Sequence, residues 1–175
     1  MPPASYSTDR LTLRPTTEAD APLILGVMNA PKFHQFVGDR GLRSEADAAA
    51  YIRTKMLPQI AEKGYGNYCL VRKEDGVPVG MCGLYERPGL AHADLGFGLL
   101  PEHEGRGYAY EAAHRLLEAA QADFSLTRVQ AITAMDHQAS QRILVKLGFR
   151  QKGTTVLPGE TEELRLYEWR AFERY

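Results

Sequence analysis

The chain has 175 residues, 44% of them hydrophobic and 25% charged, with a formal net charge of −1. That balance suits one globular domain with a sizeable core, so a single domain over residues 1–175 is expected. The near-neutral charge argues against a broad nucleic-acid footprint, and no apolar run approaches the roughly 20 residues of a membrane span.

In chain order, RLTLR (10–14) alternates as a strand does. Thr17 and Asp20 then form a capping pattern ahead of the apolar LILGVM, and Pro31 marks the expected end of that first helix. Ser44 and Asp47 repeat the pattern before AAAYIRTKM, and Pro58 is expected to bend or stop the second helix. The period then changes. NYCLVRK (67–73) and PVGMCGLY (78–85) flank EDGV as a hairpin, and ADLGFGLL (93–100) is a third strand. Ala109, Ala112, Ala113, Leu116, Leu117 and Ala120 recur at helical spacing. RVQAITA (128–134) is rich in strand formers, and QASQRILVKL (138–147) reads as a helix stopped by Gly148. TTVLPGETEELRLYEW closes the chain as two strands around Pro158 and Gly159. An antiparallel run followed by strand–helix alternation implies an α/β chain with a mixed sheet and helices on its faces.

Between the third strand and the alanine-rich helix stands LLPEHEGRGYAYEA (99–112). The first turn of a helix carries unpaired N–H groups and the positive end of the dipole, which together make an anion site. Glycine at 105 and 107 lets a phosphate approach those amides, with Arg106 at the rim. The alternative is a plain tight turn in which glycine only relieves the backbone. The segment is not a P-loop, since no GK[ST] follows, and Tyr110 stands where a dinucleotide fingerprint needs its third glycine. Gly96 and Gly98 interrupt the preceding strand. They mark either a bulge, a close approach by a ligand, or room for a packed aromatic.

These segments resemble the GNAT N-acetyltransferases, most nearly the branch of RimJ/RimL-type protein N-terminal acetyltransferases, over about residues 10 to 170. The family's [QR]-x-x-G-x-[GA] loop reads Glu104-Gly105-Arg106-Gly107-Tyr108-Ala109, with Glu104 departing from the pattern. HQASQRILVKLGF is similar to the family's N-x-x-S-x-x-x-x-x-K-x-G-F segment. Ser140, Lys146, Gly148 and Phe149 match it, and His137 replaces the usual Asn. LTLRP and ADLGFGLLPE also fit.

The resemblance implies a central, mostly antiparallel, splayed mixed sheet flanked by helices. It also implies acetyl transfer from acetyl-CoA, a co-substrate, to a primary amine of a small molecule or a protein N-terminus. By the same likeness Phe97, Gly98 and Leu99 meet the pantetheine arm, with an oxyanion donor near Leu99. Gly105, Arg106, Gly107, Tyr108, Ala109 and Tyr110 hold the pyrophosphate, and His137 stands beside the cofactor arm. Asp94 is the first candidate for the base, as an acid early on the splayed strand, and Glu86 the second; Ser140 is a candidate partner for the thiol sulfur. The tyrosine that many relatives use as an acid is here Leu144. A non-catalytic CoA-binding module and an unrelated nucleotide-phosphate binder are the rival readings.

Cys69 and Cys82 lie in apolar runs, as buried thiols of a reducing cytoplasm do. MPPASYSTDR lacks the pattern of a signal peptide, so a cytoplasmic location away from membranes is expected. No CxxC or HExxH spacing occurs, and no metal is expected. Exposed edge strands at the C-terminal hairpin leave a homodimer open.

Overall fold

The computed structural model describes residues 3–171. Two short strands, β1 (Tyr6–Ser7) and β2 (Leu11–Pro15), lead into a 3-10 turn at Glu18–Asp20 and helix α1 (Ala21–Met28). The Thr17 amide donates to Asp20 Oδ2 at 2.8 Å, which sets the start of this helical segment. α1 ends at Met28, before Pro31. That is the expected end, and Pro31 also opens a further helix, α2 (Pro31–Phe36). The missing N–H costs nothing at the first helical position, so the same residue that stops a helix can start one.

The second helical region begins as α3 (Glu45–Tyr51), where the Ser44 hydroxyl accepts from the Asp47 amide at 3.1 Å. Pro58 does not stop it. A π-helical turn at Ile52–Met56 absorbs the break, and α4 (Leu57–Lys63) follows with Pro58 in its first turn.

Strands β3 (Asn67–Arg72), β4 (Pro78–Tyr85) and β5 (Asp94–Leu99) form an antiparallel meander. Helix α5 (Tyr108–Phe124), β6 (Arg128–Ala134), α6 (Gln138–Lys146), β7 (Arg150–Thr155) and β8 (Leu164–Arg170) complete the fold. The eight strands run in the order β1-β2-β3-β4-β5-β6-β8-β7, so β8 inserts between β6 and β7. All neighbours are antiparallel except β5 and β6.

That parallel pair positions the site. It has a single ladder position, Asp94 opposite Gln130, after which the strands diverge. The divergence is not caused by a bulge at the glycines. β4 and β5 stay in unbroken register from Gly80–Leu99 to Tyr85–Asp94. The two glycines make room for packing instead. A Cβ at Gly96 would stand 2.8 Å from the Tyr85 ring, and one at Gly98 would stand 2.7 Å from Val27 of α1.

Apolar residues cover both sheet faces. Leu116, Leu117, Ala112 and Ala113 of α5 pack with Leu13, Leu70, Cys82 and Leu84 on one side. Ile24 and Val27 of α1 pack with Ile52, Met56, Cys69 and Met81 on the other. Period-two alternation in β4 sends Met81 and Cys82 to opposite faces, as a sheet covered twice requires. Among the described residues no helix is long and apolar enough to cross a membrane.

Candidate active site

Two clefts meet where β5 and β6 part. The first, of about 530 Å³, runs along Phe97, Gly98 and Leu99 to the loop before α5, and its far wall includes Ser140, Arg142 and Lys146 of α6. The second, of about 360 Å³, is lined by Glu86, Asp94, Gly96 and residues of α2, the π-helical turn and the β7–β8 loop. Phe33, Val37, Phe97, His137 and Ser140 line both, so these five residues mark the junction.

The floor of the larger cleft is backbone. None of the amides from Gly105 through Tyr110 has an acceptor among the described residues, and Glu111 is the first to find one, in the Gly107 carbonyl at 3.1 Å. Gly105 and Gly107 hold φ of +76° and +82°, a conformation that side chains with a Cβ rarely adopt. A Cβ on Gly105 would meet nothing within 4 Å, so the space beside it is open. Six bare amides at the N-terminus of a 17-residue helix form a cradle for an anion. Gly105, Gly107, Tyr108, Ala109 and Tyr110 line the cleft; Arg106 is exposed outside the lining, and only its amide belongs to the cradle.

The wall beside β5 is also backbone. The Ala93 carbonyl accepts from the Gln130 amide at 2.8 Å, and the Leu100 amide donates to the Val79 carbonyl at 3.0 Å. Peptide groups alternate in direction along a strand. Counting from these two ends, the groups of Phe97 and Leu99 face the gap on the side where β6 has moved away. They are free to pair with an extended, amide-bearing chain.

Asp94 sits at the top of the gap and is 2% exposed. Its Oδ2 accepts from Arg87 Nε at 2.7 Å, while its Oδ1 is buried without a partner. Burial pushes this carboxyl up to about 6, with the Arg87 guanidinium opposing the rise. Glu86 lines the same cleft, but its carboxylate already accepts a hydrogen bond from the Tyr65 hydroxyl. Tyr85 turns inward, its hydroxyl donating to Asn67 Oδ1, and Asn67 donates to Thr16 Oγ1 at 2.8 Å.

His137 precedes the first turn of α6 and stacks on Phe36 of α2, ring centroids 4.0 Å apart and 4° from parallel. Burial lowers its basicity, and Lys32 lowers it further. Lys32 of α2 reaches the other side of the larger cleft, where Nζ pairs with Glu104 Oε2 at 2.9 Å. α2 thus touches both walls, through side chains that nothing in its short sequence announces. Leu144 is 1% exposed and belongs to the core. Burial raises the Cys69 and Cys82 thiols to about 12, so neither is a thiolate at neutral pH.

Phe33 and Phe36 of α2 line the clefts, while Tyr68 is core. Glu160 and Glu162 of the exposed β7–β8 loop line the smaller cleft.

The acetyltransferase (GNAT) domain family matches residues 10–150 of the chain. The uncharacterized N-acetyltransferase YoaA of Bacillus subtilis (strain 168) is 27% identical over 150 residues, spanning 83% of this chain and 82% of its own. An acetyltransferase from Agrobacterium tumefaciens str. C58 superposes with a TM-score of 0.81 at 26% identity, covering 96% of this chain and 95% of that one. A RimL ribosomal L7/L12 alpha-N-protein acetyltransferase in complex with coenzyme A shares the fold, with a TM-score of 0.73 at 15% identity over 95% of this chain and 98% of that one.

Proposed function

The chain belongs to the GNAT acetyltransferase family and is an acyltransferase, and from that premise we propose that it moves the acetyl group of acetyl-CoA onto a primary amine by direct attack, acting as one domain. The acceptor is a small amine or a protein N-terminus. The observation that carries this reading is the run of unpartnered amides from Gly105 to Tyr110, placed at one end of a gap in the sheet.

The residues fit a diphosphate joined to an amide-bearing arm. The six amides would grip the diphosphate, with Arg142 and Lys146 adding charge from the opposite wall. The free peptide groups of Phe97 and Leu99 would pair with the arm as a missing strand would. The Leu99 amide is then the donor for the oxygen that gathers negative charge during transfer.

An ammonium has no lone pair, so the amine must lose a proton before it attacks. Asp94 lines the smaller cleft, where the acceptor would sit, and its Oδ1 is buried without a partner, which suits a group that takes that proton directly or through one water. Glu86 is the weaker candidate because Tyr65 already occupies it. The carbon–nitrogen bond forms, the carbon–sulfur bond breaks, and the departing thiolate needs a proton or a donor. Ser140 lines both clefts, and from their junction its hydroxyl would donate to that sulfur. No covalent enzyme intermediate is called for, in keeping with two buried, protonated cysteines; those free thiols also suit a cytoplasmic setting.

The test is thiol release from acetyl-CoA with an amine panel, alongside calorimetry with CoA, ATP and NAD. Turnover with at least one amine, and CoA as the tightest of the three ligands, is the expected result. CoA binding without turnover would point to a regulatory module, and a preference for ATP or NAD would end the acyl-transfer reading.

A further inference from the structure

The acceptor cleft carries two cations that have nothing to pair with. Arg40 follows α2 and Lys55 lies in the π-helical turn, and both line the 360 Å³ cleft. Neither has a hydrogen bond or ion pair among the described residues. Their neighbours are different. Of the four arginines from Arg14 to Arg53, Arg14 pairs with Asp20 at 2.7 Å, Arg43 with Asp39 at 2.6 Å and Arg53 with Glu18; only Arg40 is single. Lys32, on the same side, is paired with Glu104. Arg40 and Lys55 are thus left without a partner on the cleft, as Lys63 is at the exposed end of α4.

The acids of this cleft come from elsewhere. Asp94 and Glu86 belong to the β4–β5 side, and Glu160 and Glu162 to the β7–β8 loop. Arg87 is already held by Asp94. The cleft thus has Asp94 in its lining, with one oxygen buried and unpartnered, and, from a separate part of the chain, two free cations. A simple aliphatic monoamine would leave Arg40 and Lys55 without a counter-charge, at a cost in binding, and Glu86, Glu160 and Glu162 are the other charges of the cleft without an ion pair among the described residues.

We propose that the acceptor carries an anionic group, a carboxylate or a phosphate, on the same molecule as its amine, and that Arg40 and Lys55 bind it. The amine is directed to Asp94 and the anion to the cation pair, so the two ends of the substrate fix its orientation. A volume of about 360 Å³ is that of a small-molecule site. Arg40 supplies the planar fork that suits either oxyanion, and Lys55 supplies a point charge. This inference rests on the acetyl-transfer reading for its account of the amine, and not for its account of the anion.

The experiment uses the intact protein and acetyl-CoA, with butylamine, putrescine, 4-aminobutyrate and 3-aminopropyl phosphate as acceptors. The two anionic acceptors should exceed butylamine and putrescine in kcat/KM by about tenfold or more. The larger of their two values identifies the carboxylate or the phosphate as the preferred anion. Arg40→Ala, Lys55→Ala and the double variant should shrink that advantage about tenfold or more, with Arg40→Lys retaining part of it. Circular dichroism checks that the exposed-site variants fold. A wild-type preference for butylamine or putrescine, or an advantage that survives the double variant, overturns the proposal while leaving acetyl transfer intact. Should no amine turn over, calorimetry with 4-aminobutyrate and 3-aminopropyl phosphate decides. Binding lost in the double variant upholds the anion site and sinks the transferase reading, and absence of binding sinks both.

Discussion

Lys32 Nζ and Glu104 Oε2 stand 2.9 Å apart, joining α2 to the loop that bears the bare amides. The pair places a carboxylate where the family pattern has Gln or Arg, next to the amides proposed to hold the diphosphate. Glu104→Gln removes that repulsion and frees Lys32 to face the cleft. We expect KM for acetyl-CoA to fall about threefold, with folding stability shifting by less than about 1 kcal/mol because the pair is partly exposed. Steady-state kinetics and thermal unfolding measure the two effects, and a rise in KM would show that Glu104 holds the loop in its binding shape.

Gly107→Val should raise KM for acetyl-CoA at least tenfold. The substitution forces a β-branched residue to φ +82° and walls off part of the cradle. It should also cost about 1 kcal/mol or more in stability. A folded variant with wild-type KM would remove this loop from phosphate binding.

For Asp94, the folded carboxyl holds its proton up to about pH 6, well above the ordinary value of 3.8. As the proposed base it is charged above that point, so kcat/KM should fall about tenfold per unit as pH drops below it. The effect on stability has the opposite sense. The folded state takes up a proton that the unfolded state releases, so this residue's contribution is complete below about pH 4 and is lost as pH rises through about 6. Asp94→Asn should lower kcat about a hundredfold and erase the acidic limb. A limb that persists in the variant belongs to another group.

Ser140→Ala should lower kcat about tenfold with little change in KM for acetyl-CoA, since the loss falls on the departing sulfur and not on the phosphates. Wild-type kcat would remove Ser140 from the chemistry.

Ellman's reagent should find no reactive thiol in the native protein at pH 8. Cys82 is fully buried, Cys69 equally so, and both thiols sit at about 12. Rapid labelling, or a burst of thiol release before steady state, would argue for an acyl-cysteine step.

The regular elements were legible where periodicity is strong. β4 and β6 have the bounds that PVGMCGLY and RVQAITA imply, and α5 extends the alanine pattern at both ends. The helices that Pro31 and Pro58 open went unread for one physical reason. Proline is a breaker inside a helix and a starter at its first turn, and sequence alone does not say which position it holds. α2 was hidden by Pro31 and by its six-residue length. The insertion of β8 between β6 and β7 was beyond reach because strand order is decided by packing, not by local pattern. In the site, the left-handed turn at Gly105 and Gly107 could be read because φ and residue type are tied. The Lys32–Glu104 and Phe36–His137 contacts could not, because each joins residues roughly seventy to a hundred positions apart. The solitude of Arg40 is likewise visible only once every neighbouring arginine has been given its acid.

A sheet joined at Asp94 and Gln130 by one rung behaves as two plates on a hinge. Whatever lies along Phe97 and Leu99 laminates the plates, so a bound guest becomes a beam of the building. Amide exchange in β4–β5 and in β6–β8 should run at separate rates in the empty protein and slow in concert when CoA is present.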